Sequence, residues 1–343
     1  MEPDGIHRYG VLLPHFGEYA TRERILDGAR RAETLGFDSV WVRDHIVFHP
    51  HGMEGQNRTH IDPVVTLAAV AGVTERVILG TASLVPHRHP IHTALLLSSL
   101  EHIAGAGRVI AGFGIGTFDH EFVAVGLGGI PRADLLREQV DIMRRLWAGE
   151  SVDFHGEFYN FDQVDIHPSP AEQRSIGVWY CGSSPASVRR ALDYCDGWMP
   201  GRITMGTFTK RMNQMRRLTE EAGRALPSVG AIPITSPGSS KESALERVNW
   251  REMLGAMSKG GYVELPKSGG WTTADDLEGA LIAGPAEEII AATRRYQSEG
   301  LDHIVYDLRF RFADWDECLV QLGEEVLPVL RREEARGAPV AAR

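Results

Sequence analysis

The chain has 343 residues, of which 43% are apolar and 24% are charged. This ordinary globular composition excludes a mainly disordered or collagen-like chain, and three cysteines are too few for a disulfide framework. The 36 basic and 46 acidic residues give a formal net charge of −10, which disfavours nucleic acid and anionic membranes as partners. Because the sequence shows no signal-peptide pattern and no apolar run of membrane-spanning length, we expect a cytoplasmic protein.

Strand-like and helix-like segments alternate along nearly the whole chain. Strands are predicted at residues 9–13, 39–42, 77–79, 109–111, 178–180, 198–199, 229–234 and 303–307. Helices are predicted at residues 25–35, 63–72, 91–103, 132–147, 185–194, 206–222, 285–297 and 315–330. Because such alternation produces parallel strands joined by crossover helices, the pattern favours a closed (β/α)8 barrel, a TIM-like α/β fold. An open doubly wound sheet stays the alternative, since the strand at 198–199 is short.

Two segments interrupt this alternation. Residues 151–167 have the pattern of a β-hairpin and precede the fifth strand. Residues 236–284 follow the seventh strand, are rich in glycine, serine and lysine, and are predicted to form a long irregular insertion. This insertion is compatible with a substrate-facing lid or with a tolerated surface excursion. We expect a single domain over residues 1–343 that includes both segments.

The loop after the fifth strand has the features of a phosphate site. Active sites of (β/α)8 barrels lie where the strands end and the following loops begin. Gly182, Ser183 and Ser184 occupy this position and lead into a helix with Pro185 in its first turn. Free backbone N–H groups at the positive end of a helix bind phosphate well. A plain Ser-Pro helix cap is the alternative interpretation.

Other strand ends also carry candidate functional residues. Asp44 and His45 follow the second strand, and a histidine there could transfer a proton near neutral pH or could be structural. Gly114 follows the fourth strand, where the lack of a side chain would let a flat ring approach the backbone, although a tight turn explains it equally well. No metal site is expected, because no matching ligands lie at suitable spacing from three neighbouring histidines, His87, His89 and His92.

Several stretches together resemble the bacterial luciferase-like superfamily of flavin- and deazaflavin-dependent enzymes. Their order and spacing carry the resemblance, which covers most of the first two-thirds of the chain and is weak beyond it. The stretches are AETLGFDSVWVRDH (32–45), TERVILGTASLVPHRHP (74–90), GRVIAGFGIGTFDHEFVAVGL (107–127), LLREQVDIMRRLWAGESVDFHGEFYNF (135–161) and VWYCGSSPASVRRALDYCDGWMP (178–200).

The resemblance implies a TIM-like barrel that binds a flavin or deazaflavin ring at the strand ends. It implies a non-prolyl cis peptide bond after the third strand, which in this chain falls between Ala82 and Ser83 beside the ring. It also implies that Asp44 and His45 are the polar pair of the active site, with Asp44 close to the cofactor. The loop 182–184 is implied to hold the cofactor phosphate.

Within the superfamily, the same motifs are most similar to enzymes that use the deazaflavin coenzyme F420. Such an enzyme transfers a hydride to or from an organic substrate. The alternative is an FMN-dependent monooxygenase that uses reduced flavin and O₂, and a third possibility is a flavin-binding barrel without activity. We expect a small, largely apolar organic substrate because several large aromatic residues fall near the predicted site, namely Phe16, Phe48, Phe113, Phe118 and Trp271.

Three further points accompany the F420 interpretation. Some deazaflavin dehydrogenases carry a carboxylate after the fourth strand, where residues 115–117 of this chain have none, which argues against a sugar-phosphate dehydrogenase mechanism. F420 also has a long anionic tail beyond its phosphate, so we expect an open, basic exit groove, for which Arg202, Lys210 and Arg211 are candidates. A solvated helix face is the alternative interpretation of these three residues. Finally, we expect a homodimer.

Overall fold

Eight parallel strands form a closed barrel in this computed structural model, which describes residues 7–50, 54–170, 176–259 and 261–337. The strands are β1 Arg8–Leu12, β2 Ser39–Val42, β3 Ile78–Leu84, β4 Val109–Phe113, β5 Val152–His155, β6 Asn160–Val164, β7 Gly177–Cys181, β8 Gly197–Met199, β9 Ser228–Ala231, β10 Ile234–Pro237, β11 Leu281–Gly284 and β12 His303–Tyr306. The barrel order is β1-β12-β9-β8-β7-β4-β3-β2, which confirms the predicted (β/α)8 fold and excludes the open sheet. Both ends of the predicted domain, 1–6 and 338–343, lie outside the described residues.

Helices cover the outside of the barrel. They are α1 Arg22–Thr34, α2 Pro63–Ala71, α3 Pro90–Ala104, α4 Asp119–Ala124, α5 Arg132–Trp147, α6 Pro185–Tyr194, α7 Met205–Glu221, α8 Lys241–Glu246, α9 Trp250–Ser258, α10 Ala286–Ser298, α11 Trp315–Gln321 and α12 Leu327–Gly337. Local sequence explains their boundaries. The Thr21 hydroxyl caps the start of α1, and Gly36 follows its end with a φ of +87°, a conformation that glycine adopts without a steric penalty.

Tryptophans and small residues fill the barrel interior. The rings of Trp41 and Trp179 lie 6.0 Å apart between their centres, and both side chains are buried. Gly80 makes room for this packing, since a Cβ atom there would lie 2.3 Å from the Trp41 ring. Ser39 satisfies the polar atoms nearby, because its hydroxyl accepts a hydrogen bond of 2.7 Å from Trp41 Nε1 and pairs with His303 at 2.7 Å. The barrel interior is therefore filled by packed side chains, and hydrogen bonds join Ser39 to Trp41 and His303.

The structure differs from the sequence prediction in three local details. β3 runs to Leu84, well beyond the predicted strand, and its pairing with β4 shifts between Thr81 and Leu84. The predicted strand 229–234 is two strands, β9 and β10, separated at Ile232 and Pro233. The predicted last helix contains a π-helical turn between α11 and α12. The hairpin before the fifth barrel strand is present as the antiparallel pair β5 and β6.

The insertion after the seventh barrel strand is not irregular, which corrects the prediction for residues 236–284. β10 and β11 pair in parallel at its two ends, and α8 and α9 lie between them. These elements share a separate apolar cluster that includes Met253, Leu254 and Leu277. Glycine and serine are frequent around these apolar residues and mask their helical spacing in the sequence.

Candidate active site

A cavity of about 580 Å³ opens at the carboxyl ends of the barrel strands. All eight residues singled out from the sequence line it: Asp44, His45, Ala82, Ser83, Gly114, Gly182, Ser183 and Ser184. Ala82 and Ser83 lie near the end of β3, and the others come from the loops after β2, β4 and β7, which the closed barrel brings to one face. The barrel therefore places all these residues around one space, as the sequence predicts, while their individual roles remain predictions.

The loop between β7 and α6 leads directly into the first turn of α6. The Ser184 hydroxyl caps α6 by accepting a hydrogen bond from Ser187 N at 3.2 Å, and Pro185 occupies the first turn. Gly182 N bonds to Met199 O at 3.2 Å, whereas the N–H groups of Ser183 and Ser184 have no backbone acceptor within the described chain. These two N–H groups lie at the positive end of the helix and are available to a ligand.

The last residues of β3 also line the cavity. The peptide bond between Ala82 and Ser83 is cis, as the family resemblance implies. Gly114 lies directly against this segment, since a Cβ atom there would be 2.4 Å from Ser83 Oγ and 3.1 Å from Cys181 O. Gly114 is thus required by the close approach of β3, β4 and β7, and small residues line the cavity there.

Asp44 is tied to an arginine that the sequence interpretation did not identify. Its carboxylate accepts two hydrogen bonds from the Arg88 guanidinium, at 2.6 and 3.0 Å, and a third from Val85 N at 3.0 Å. Arg88 also bonds to Asp62 at 2.8 Å. The Asp44 side chain is fully buried, so both its oxygens hold neighbouring loops together. Its geometry is that of a positioning residue.

His45 is held between a carboxylate and an arginine. Its Nδ1 lies 3.1 Å from Glu121 Oε2, and its Nε2 lies 3.1 Å from Arg43 Nη2. A carboxylate can only accept and a guanidinium can only donate, so Nδ1 carries the proton and the Nε2 lone pair accepts from Arg43. The structure therefore selects one tautomer of a histidine that lines the cavity.

Glu121 is the carboxylate that the sequence interpretation missed after the fourth strand. Residues 115–117 lack one, but the short helix α4 brings Glu121 back to the site, where its side chain is 1% exposed. Its oxygens also accept hydrogen bonds from Ile46 N at 2.9 Å and Val47 N at 3.1 Å. Burial by itself would raise the pKa of Glu121, but the hydrogen bonds and the His45 charge lower it below its ordinary value. The acidic segment after the fourth strand was the available signal.

Three of the arginines that line the cavity are Arg43, Arg202 and Arg309. Arg43 and Arg309 both donate to Glu54 Oε1, at 2.7 and 3.1 Å, and Arg309 also pairs with Asp307. No side-chain hydrogen bond or ion pair of Arg202 occurs within the described ranges. Burial lowers the pKa of Arg202 to about 10, so it stays charged at neutral pH. Three cations against two carboxylates leave one excess positive charge facing the cavity.

The basic exit groove expected at residues 202, 210 and 211 is not present, which corrects that prediction. Arg202 lines the cavity itself. Arg211 is buried and donates to Ser183 O at 3.1 Å and to Tyr262 O at 2.7 Å, so it joins the phosphate loop to the insertion. Lys210 forms an exposed ion pair with Glu264 at 2.7 Å. Arg211 and Lys210 therefore bind the insertion to the barrel.

The insertion supplies the apolar side of the cavity. Its lining residues are Met253, Ala256, Met257, Tyr262 and Val263. Among the five aromatic residues expected near the site, Phe118 lines the cavity, whereas Phe16 and Phe48 pack behind it against His60. Trp271 packs on the cluster of the insertion. The insertion therefore faces the site, as the lid interpretation requires.

Histidines near the site have structural contacts. His89 caps α3, and His87 packs edge-on against Phe122 with ring centres 4.7 Å apart. Within the described ranges, no group of three or more histidine, cysteine, aspartate or glutamate side chains is arranged to hold a metal ion. None of the helices in those ranges is long and apolar enough to cross a membrane.

Comparison with known proteins places this site in a family. Residues 8–303 match the model of the luciferase-like monooxygenases. An F420-dependent glucose-6-phosphate dehydrogenase from Intrasporangium calvum is 37% identical over 361 residues, covering 92% of this chain and 96% of that protein.

Two solved structures share the fold over nearly the whole chain. An F420-dependent secondary alcohol dehydrogenase in complex with an F420-acetone adduct has a TM-score of 0.76 at 21% identity, covering 94% of this chain and 98% of its own. The oxygenating constituent of 3,6-diketocamphane monooxygenase from Pseudomonas putida, in complex with FMN, has a TM-score of 0.76 at 16% identity with the same coverage. The resemblance seen in the sequence is confirmed, and the chain belongs to the luciferase-like monooxygenase family.

Proposed function

We propose that this protein is an F420-dependent oxidoreductase that transfers a hydride to or from a small organic substrate. The observation that carries the proposal is that three features line one cavity. They are His45, whose ring is hydrogen-bonded to Glu121, the cis peptide segment 82–83 and the loop 182–184. The similarity to a dehydrogenase named for F420, at 37% identity over nearly all of both chains, supports the choice of cofactor.

The residues present fit such a cofactor. The free N–H groups of Ser183 and Ser184 would hold its phosphate, and the small residues Ala82, Ser83 and Gly114 would let its ring approach the backbone. A cavity of about 580 Å³ is within the usual range for cofactor sites. When bound, the deazaflavin supplies a ring carbon that gives or takes a hydride.

His45 is the residue that would move the proton that accompanies hydride transfer. A substrate hydroxyl that replaced the Arg43 N–H at Nε2 would give its proton to this lone pair, and the protonated ring would give one to a carbonyl. Glu121 fixes the tautomer and stabilises the positive charge that the ring acquires when it takes up the proton. Asp44 would act indirectly, by holding the loops after β2 and β3 in place through Arg88.

The lining also restricts the substrate. The methionines of α9 and Val263 contribute apolar lining, and Arg202 contributes the excess positive charge. We therefore expect a substrate with an apolar body and an oxygen-bearing polar or anionic group that contacts Arg202. Such a molecule would bury its apolar part against the insertion and neutralise the unpaired guanidinium.

Titration of the purified protein with F420 and with FMN tests the cofactor. We expect fluorescence quenching with micromolar affinity for F420 and much weaker binding of FMN. Preferential binding of FMN would overturn the proposal and favour a monooxygenase, because reduced FMN reacts with O₂.

A charge placed at the phosphate loop tests the mode of binding. Ser184→Asp keeps a good helix cap but puts a negative charge beside the phosphate, so F420 affinity should fall at least about tenfold. Substitution of Gly182 is less clean, since a Cβ atom there would lie 3.0 Å from Ser187 Cβ and the Tyr180 ring. Thr21→Asp makes the same change at the cap of α1 and is the matched control. Unchanged affinity in Ser184→Asp would place the phosphate elsewhere.

A further inference from the structure

A second concave surface lies on the outside of the barrel, between α6 and α7, beside α5. It is a groove of about 320 Å³. We call it the arginine groove, and its lining residues are Arg137, Arg189, Arg190, Leu192, Asp193, Leu218, Thr219, Ala222 and Arg224. Four arginines and one aspartate thus converge on one groove in a chain whose net charge is −10.

Most of this positive charge is not neutralised by the protein. Arg137 pairs with Asp193 at 2.8 Å, which accounts for the acidic residue of the groove. Arg189 and Arg224 are exposed, and within the described residues their side chains have no ion pair or hydrogen bond. Arg190 contacts the Tyr180 hydroxyl at 3.2 Å, a neutral partner. The groove therefore presents about three unpaired cations to an approaching ligand.

The arginine groove and the active-site cavity share one lining residue, Arg190. Arg190 lines both, together with Ser184 and Ser187 on the cavity side. It lies six residues beyond Ser184 along the sequence, which is about 9 Å along the axis of α6. A ligand whose phosphate is held at the start of α6 can therefore continue past Arg190 into the groove.

We propose that the arginine groove binds the anionic tail of the cofactor, a run of carboxylates that begins beyond the phosphate. The inference rests on the proposed F420 function and specifies how this chain holds that cofactor. Paired with carboxylates, Arg189, Arg190 and Arg224 would each gain the partner that they lack. FMN ends at its phosphate and would not reach the groove, so the groove also favours F420 over FMN.

Binding of two forms of the cofactor to charge-reversed variants tests this inference. The probes are F420 with several glutamates in its tail and the form without glutamates, each titrated by fluorescence at low ionic strength. In the wild type we expect the glutamylated form to bind about tenfold more tightly, with the difference shrinking as salt is added. The double variant Arg189→Glu/Arg224→Glu should lose this difference, while its affinity for the form without glutamates stays unchanged.

A matched control separates the groove from net charge. Arg30→Glu/Arg332→Glu makes the same change in charge at exposed positions on α1 and α12 and should keep the wild-type preference. Circular dichroism and thermal unfolding establish that both double variants are folded. Equal affinity of the wild type for the two forms, or equal weakening of both by the groove variant, would overturn the inference and leave the proposed function standing. Failure of both forms to bind the wild type would overturn the proposed function itself.

Discussion

The contact between Glu121 and His45 leads to a sharp prediction for Glu121→Gln. In the structure the carboxylate accepts hydrogen bonds from His45 Nδ1, Ile46 N and Val47 N. A glutamine has one acceptor oxygen, which the two backbone N–H groups would keep. Its NH₂ group would then face His45, so that Nδ1 would have to accept and the proton would move to Nε2.

The exchanged tautomer removes the function that we assign to the ring. Protonated Nε2 would point its hydrogen at Arg43 Nη2, which is also a donor, and would have no lone pair for a substrate proton. General acid–base catalysis contributes about 10²- to 10⁴-fold, so we expect kcat to fall by about 10²- to 10³-fold. Affinity for the cofactor should stay unchanged, because Glu121 acts through His45 and not on the phosphate loop.

Two measurements check this reasoning. ¹⁵N chemical shifts of the His45 ring report which nitrogen carries the proton, and they do not depend on knowing the substrate. Turnover followed through the cofactor absorbance, across a pH series, reports the loss of the base. Asp119→Asn removes a carboxylate from the exposed side of the same helix, where it pairs with Arg132, and serves as the control. A Glu121→Gln variant with the wild-type tautomer and wild-type turnover would refute the role of Glu121.

Three other outcomes are expected. His45→Ala should lower kcat by about 10²-fold or more in steady-state assays, with F420 affinity unchanged, and wild-type turnover would contradict a catalytic role. Asp44→Asn breaks a buried ion pair with Arg88 and should lower the free energy of unfolding in urea by about 3 kcal/mol, whereas a loss of turnover at full stability would favour direct catalysis. Burial lowers the pKa of His15 to about 4 from about 6.5, so the unfolded chain binds its proton first. Stability supplied by neutral His15 is therefore complete above pH 6.5 and lost between pH 6.5 and 4, which corresponds to about 2 kcal/mol between pH 7 and 5. Urea unfolding of His15→Gln should show a smaller loss over that interval, and an identical pH dependence would contradict this assignment.

Much of the architecture is encoded locally and was therefore readable in the sequence. The apolar spacing of residues 132–147 predicts α5 with its observed boundaries, and Ser184 with Pro185 predicts the start of α6. Periodicity and capping act within a few residues of chain, so they do not depend on the rest of the fold. The alternation of such elements then determines the barrel, and the barrel determines which loops share a face.

The decisive contacts of the site, in contrast, join residues that are far apart in the chain. His45 and Glu121 are 76 positions apart, and Asp44 and Arg88 are 44 positions apart. The sequence alone places these residues in loops of different βα units without stating their orientation. Which side chains meet depends on strand register and on the path of each loop, and both are determined by packing of the whole barrel.

The charged surfaces show the same division. From composition the chain is simply acidic, and the sequence alone suggested Arg202, Lys210 and Arg211 as one basic groove. In the structure, Arg202 lines the cavity, Lys210 forms an exposed ion pair and Arg211 is a buried donor to backbone carbonyls. They differ because burial and partners differ at each position. The arginine groove arises instead where α5, α6 and α7 lie side by side. A sequence specifies which charges exist, but only the tertiary fold decides which remain unpaired, because pairing depends on distances of a few ångströms between separate elements.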